Sequence, residues 1–138
     1  MSWYDKIKEL GGGDFTFLSS DGEVMVFVIV DDPVIIISKF KGKEQKRIGC
    51  PVVTDEGFVL FITGARVARK LSKFEGRFKD TAFMVVRHGG ENDVNAKYDV
   101  RPLDDVAKTK HLLGMVKAEY SKEKLKDAIA AAKEVMKD

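Results

Sequence analysis

The sequence predicts a mainly β protein with flanking helices, an α+β fold built on a small five-stranded barrel. Three observations carry this. Short runs of β-branched and aromatic residues recur between Gly-, Asp- and Pro-containing breaks from Phe15 to Pro102. A single helical stripe, Val67, Leu71 and Phe74, falls inside that region, and after Pro102 the apolar spacing turns helical. The expected division is residues 1–13 for an N-terminal helix and glycine linker, 14–103 for the barrel, and 104–138 for a C-terminal helical extension.

Taken in order, Ser2 stands where a helix cap is needed, and Trp3, Ile7 and Leu10 follow at helical spacing until Gly11-Gly12-Gly13 ends the run. Phe15–Leu18 and Glu23–Val30 read as strands, and the Asp21-Gly22 pair between them suits a tight hairpin turn. Asp31-Asp32-Pro33 breaks the chain before the β-branched run Val34-Ile35-Ile36-Ile37. From Lys43 to Val53 the residues alternate, with Ile48, Cys50 and Val52 on one face and Lys43, Gln45 and Arg47 on the other. Thr54–Gly57 turns the chain into Phe58–Ile62, an apolar strand expected near the centre of the sheet.

Gly64 then precedes a helix over 65–74, whose apolar stripe leaves Arg66, Arg69, Lys70 and Lys73 off it. Ala82–Arg87 and Tyr98–Arg101 make the last two strands, joined by a polar loop from His88 to Ala96, and Pro102 closes the sheet. Asp104 or Asp105 caps a helix carrying Val106, Leu112, Leu113 and Val116, although Gly114 is a poor helix former. Ser121 opens a further helix with the narrow stripe Leu125, Ala128, Ile129, Ala132 and Met136.

Composition narrows the functional classes. At 138 residues, 44% apolar and 33% charged, the chain is long and apolar enough to bury a core. The net charge of +2 is too small to point to a polyanion, but its distribution is uneven. Residues 1–38 carry two basic and seven acidic side chains, a net −5, whereas residues 39–79 carry eleven basic and four acidic ones, a net +7. One cysteine, Cys50, excludes an internal disulfide, and with His88 and His111 alone there is no ligand set for a usual structural zinc site. No signal-peptide pattern opens the chain and no apolar run is long enough to span a bilayer, so the expected compartment is a reducing cytoplasm.

Catalytic chemistry finds no footing. Neither histidine has a paired nucleophile motif, no carboxylate pair stands out, and the glycine runs match neither a P-loop nor a dinucleotide fingerprint. The reading is therefore not an enzyme, with no cofactor and no metal. Cys50 reads as a small buried side chain.

Binding chemistry is better served, because single strands are held by cations that track phosphates and by rings on which bases stack. Lys39, Phe40 and Lys41, followed by Lys43, Lys46 and Arg47, bring both within nine residues. The alternative is that Phe40 tucks into the barrel rim while the lysines keep an edge strand soluble. Arg66, Arg69, Lys70 and Lys73 are outer phosphate contacts or a solvated helix face, with few acidic i,i+4 partners to favour the latter. Arg87 and Arg101, near strand ends, complete the candidate set, whereas Tyr98 shares the other strand face with Val100.

Five segments carry a resemblance: Pro51-Val52-Val53; Gly57-Phe58-Val59-Leu60-Phe61; Gly64-Ala65-Arg66-Val67 with Leu71; Phe83-Met84-Val85-Val86-Arg87-His88-Gly89; and Tyr98-Asp99-Val100-Arg101-Pro102. In spacing and residue class they resemble the barrel of phage single-stranded DNA-binding proteins of the T4 type. That barrel is an OB-fold, with a helix between its third and fourth strands. The resemblance implies coating of single strands during DNA replication or recombination, in host cytoplasm if the source is viral. The implied partners are single-stranded DNA, with RNA as the alternative, and replication proteins. Two departures stand out, since this chain lacks that family's zinc-binding cluster and its acidic tail. The helix around Leu125–Met136 is instead a candidate for self-association. A protein-interaction or assembly module, with the barrel as scaffold and the amphipathic terminal helices as binding elements, is the competing reading.

Overall fold

The computed structural model describes residues 15–18, 20–40, 42–90 and 95–135. The helix expected around Trp3, Ile7 and Leu10, and Met136 of the last stripe, lie outside the described residues.

The fold is mixed α+β. Among the described residues, one open sheet of seven strands is flanked by three α-helices. The strands are β1 (Phe15–Thr16), β2 (Val24–Ile29), β3 (Val34–Phe40), β4 (Lys43–Thr54), β5 (Gly57–Thr63), β6 (Phe83–His88) and β7 (Lys97–Pro102). The helices are α1 (Ala65–Ser72), α2 (Val106–Glu119) and α3 (Lys122–Val135), with a short 3-10 turn at Glu75–Arg77. The strand order is β1-β5-β4-β2-β6-β7, with β3 paired to the outer half of β4.

β5 shows why the layers form. Every residue from Gly57 to Thr63 is buried, so the strand needs apolar cover on both faces. Val59 and Phe61 point into a cluster with Phe27, Val52, Phe83 and Val85, which also holds Val67 and Leu71 of α1. Phe58, Leu60 and Ile62 point the other way, against Leu112 of α2 and Leu125, Ala128 and Ala132 of α3. The narrow stripe of α3 is thus covered within the chain, and its alanines let the helix approach the sheet closely. Asp105 caps α2 through the Lys108 amide, Ser121 caps α3 through the Lys124 amide, and α2 runs unbroken through Gly114.

Two expectations need correction. The Asp21-Gly22 turn forms, with Gly22 at φ +80 and the Glu23 amide bonded to the Ser20 carbonyl, but it does not join a hairpin. β1 instead lies parallel on β5, Phe15 opposite Leu60, while β2 pairs with β4 and β6. The expected barrel has no ladder between β5 and β7 among the described residues, because β1 occupies the free side of β5. The sheet stays open there. Two-residue turns connect β3 to β4 and β4 to β5. In the second, Gly57 combines a φ of +112 with a close approach, since a Cβ there would meet Glu119 Oε2 at 2.8 Å.

The C-terminal helices are tied to the β2–β3 turn at Asp31. Its carboxylate accepts from Tyr120 Oη and from Lys122 Nζ, the latter at 2.5 Å, while the Tyr120 ring packs on Phe58. Lys122, then Tyr120, hold the Asp31 carboxyl down at about 2 instead of 3.8. Burial and the Asp31 charge push the Tyr120 phenol up. A carboxyl depressed in the folded state adds stability that is complete above its unfolded value and is lost as pH falls through its folded one. Because Lys122 is solvent-exposed, Asp31→Asn is expected to cost only about 1 kcal/mol at neutral pH. Urea unfolding of both proteins should show that difference shrinking as pH drops from about 4 towards 2.

Candidate nucleic-acid interface

The basic segment forms a two-stranded arm. β3 and β4 pair from Val34 opposite Gly49 out to Phe40 opposite Lys43, whereas β4 meets β5 only from Ile48 onward. Residues beyond Ile37 and Arg47 therefore pair with each other and with no further strand among the described residues. Gly42, at φ +76, supplies the left-handed turn at the tip.

Facing residues in an antiparallel ladder share a sheet face. Lys46, opposite Ile37, is on the face of Ile35 and Ile48, while Arg47, opposite Ile36, and Lys43, opposite Phe40, are on the other. Lys43, Lys46 and Arg47 are all exposed. Lys41 and the side chains of Lys39 and Phe40 lie outside the described residues, so the stacking expectation for Phe40 rests on its register position beside Lys43.

At the root of the arm a cleft of about 290 Å³ is lined by Phe17, Leu18, Arg47, Ile62, Thr63, Gly64, Arg87 and Tyr98. It opens where β5 and β7 part. The cleft brings together Arg47 and two rings, Phe17 and Tyr98, of which strand parity favoured Tyr98 less than Phe40.

Arg87 requires a correction. It was expected on the surface, yet it is buried at 8% exposure on β6, on the same face as Phe83 and Val85. Nε donates to the Gly89 carbonyl at 3.0 Å, Nη2 to the Gly90 carbonyl at 2.7 Å, and Nη1 to the Leu18 carbonyl at 3.4 Å and to Tyr98 Oη. The guanidinium also stacks 5.5 Å from the centre of the Tyr98 ring. Arg87 thus fastens the segment after β1, the start of β7 and the loop after β6 to one another. Its donors are engaged inside the fold.

The remaining cations divide. Arg66, Arg69 and Lys73 are exposed on or just after α1, whose buried residues are Val67 and Leu71. Lys70 reaches β7 and donates to the Tyr98 carbonyl at 2.6 Å, satisfying an acceptor on that edge. Arg101 lies farther along β7, opposite Met84, and pairs with Asp99. Cys50 is buried, and that burial pushes its thiol up to about 11, leaving it neutral and unreactive. His88 is exposed at the end of β6.

Removing a buried, fully bonded guanidinium strands several carbonyls. Arg87→Met is expected to lower unfolding free energy by about 3 kcal/mol. Arg87→Lys, which lacks the planar fork, should recover only part of it, as read from denaturant midpoints at unchanged slope. Comparison of this chain with family models, curated proteins and solved structures finds no match.

Proposed function

We propose that this chain is a sequence-tolerant single-stranded DNA-binding protein acting in phage DNA replication or recombination. The observation that carries the reading is the basic arm, with Lys43, Lys46 and Arg47 exposed on strands that extend past the sheet, and Lys39 and Phe40 paired towards its tip, followed in sequence by Lys41. An arm bearing cations on both faces suits a flexible polyanion. The cleft at its root supports the reading further, offering Arg47 beside Phe17 and Tyr98. Arg66, Arg69 and Lys73 serve as outer phosphate contacts. Lys70 and Arg101 contribute less, being engaged with Tyr98 and Asp99, and Arg87 acts by holding the cleft in shape.

The OB-like reading of the fold rests on the five strands β2, β4, β5, β6 and β7, with α1 between the third and fourth of them in chain order. The resemblance to phage proteins of the T4 type supports the same conclusion. Binding of this kind needs no catalytic group. It proceeds by release of counterions from the strand, which makes affinity strongly dependent on salt.

Anisotropy of a labelled single-stranded oligonucleotide, set against duplex DNA and RNA of equal length, tests this. Micromolar or tighter binding that prefers the single strand is expected. Replacing Lys43, Lys46 and Arg47 by alanine together should reduce the slope of log affinity against log salt by about 2. Phe40→Ala should cost about 1–3 kcal/mol of binding. No binding at low salt would sink the proposal.

A further inference from the structure

The edge strand β3 is built to pair with itself, and we infer that two copies of this chain associate by antiparallel β3–β3 pairing about a two-fold axis at Ile36. Among the described residues β3 has a strand neighbour on one side only, namely β4. Edge strands of soluble proteins are usually blunted by charge, proline or a bulge. Within Val34–Ser38 there is none of these. Ile35 and Ile37 are instead 65% and 54% exposed, two of the largest apolar side chains left open to solvent. Ile36, between them, is buried on the opposite face in the cluster that holds α3. The open apolar surface therefore belongs to one face and one edge.

Symmetry then limits the register. Along a strand, backbone groups point alternately to the two sides, so a two-fold antiparallel pair must centre on a residue. Centred on Ile36, Ile35 faces the partner's Ile37 and Ile37 faces the partner's Ile35. Four exposed isoleucines then meet on one sheet face. The ends match in charge as well. Lys39 stands opposite the partner's Pro33, and Phe40 opposite the partner's Asp32. The basic end of each β3, at Lys39, thus lies beside Asp32 in the turn before the other, twice over. A parallel arrangement would lay Lys39 beside its own copy, which like-charge repulsion disfavours. The contact is isologous and closes at two copies, joining the sheets in the order β5-β4-β3-β3-β4-β5.

This inference is independent of the nucleic-acid reading, and its test uses no nucleic acid. Sedimentation equilibrium of the full chain from micromolar to near-millimolar concentration should show a dimer. Ile37→Lys, at an exposed position, should weaken dimerisation about tenfold or more while leaving the circular dichroism spectrum unchanged. The register has its own readout. Under mild oxidation, a mixture of Ile35→Cys and Ile37→Cys proteins should form a cross-linked heterodimer in preference to either homodimer, Cys50 being buried. A monomer at every concentration overturns the inference. So does a dimer that survives Ile37→Lys, or one that cross-links no better in the mixture than in either protein alone.

Discussion

A strand with no face to show to water constrains this molecule more than any other element. Phe58 to Ile62 is apolar at every position, so β5 is stable only if both faces and both edges are covered. One face takes α1 through Val67 and Leu71, and the other takes α2 and α3 through Leu112, Leu125, Ala128 and Ala132. One edge pairs with β4 along its length, and the other receives β1. The helical extension is thereby part of the core, and the tie from Asp31 to Tyr120 and Lys122 fixes where it lies.

Much of this was legible in the sequence, and what was missed was non-local. Continuous apolarity identified β5, alternation identified β4, and the caps at Asp105 and Ser121 marked α2 and α3. Local turn chemistry misjudged β1. An Asp-Gly pair reports a turn at Gly22 but not which strands flank it. The parallel contact of Phe15 and Thr16 with Leu60 and Phe61 spans more than forty residues and leaves no periodic trace. The same contact explains why the sheet remains open between β5 and β7.

The candidate interface was legible as charge and less so as geometry. The basic stretch could be read directly, and strand parity correctly put Ile48 and Arg47 on opposite faces. Parity could also have removed Arg87 from the surface, since Phe83, Val85 and Arg87 fall on one face. Its positive charge obscured that signal. Nothing local shows that Lys70 reaches the Tyr98 carbonyl or that Arg101 folds back on Asp99. Phe17 and Tyr98 became candidates only when the chain brought β1's continuation beside β7.

The two-sided cover of β5 also bears on how the chain acquires its fold during synthesis. The cover of one face lies in α1 and β6, soon after it in sequence, but that of the other lies in α2 and α3, made later. Until α2 and α3 leave the ribosome, Phe58, Leu60 and Ile62 line a bare sheet face that other nascent chains or holding chaperones can reach. These two helices therefore act as an intramolecular shield whose arrival ends the exposure of that face.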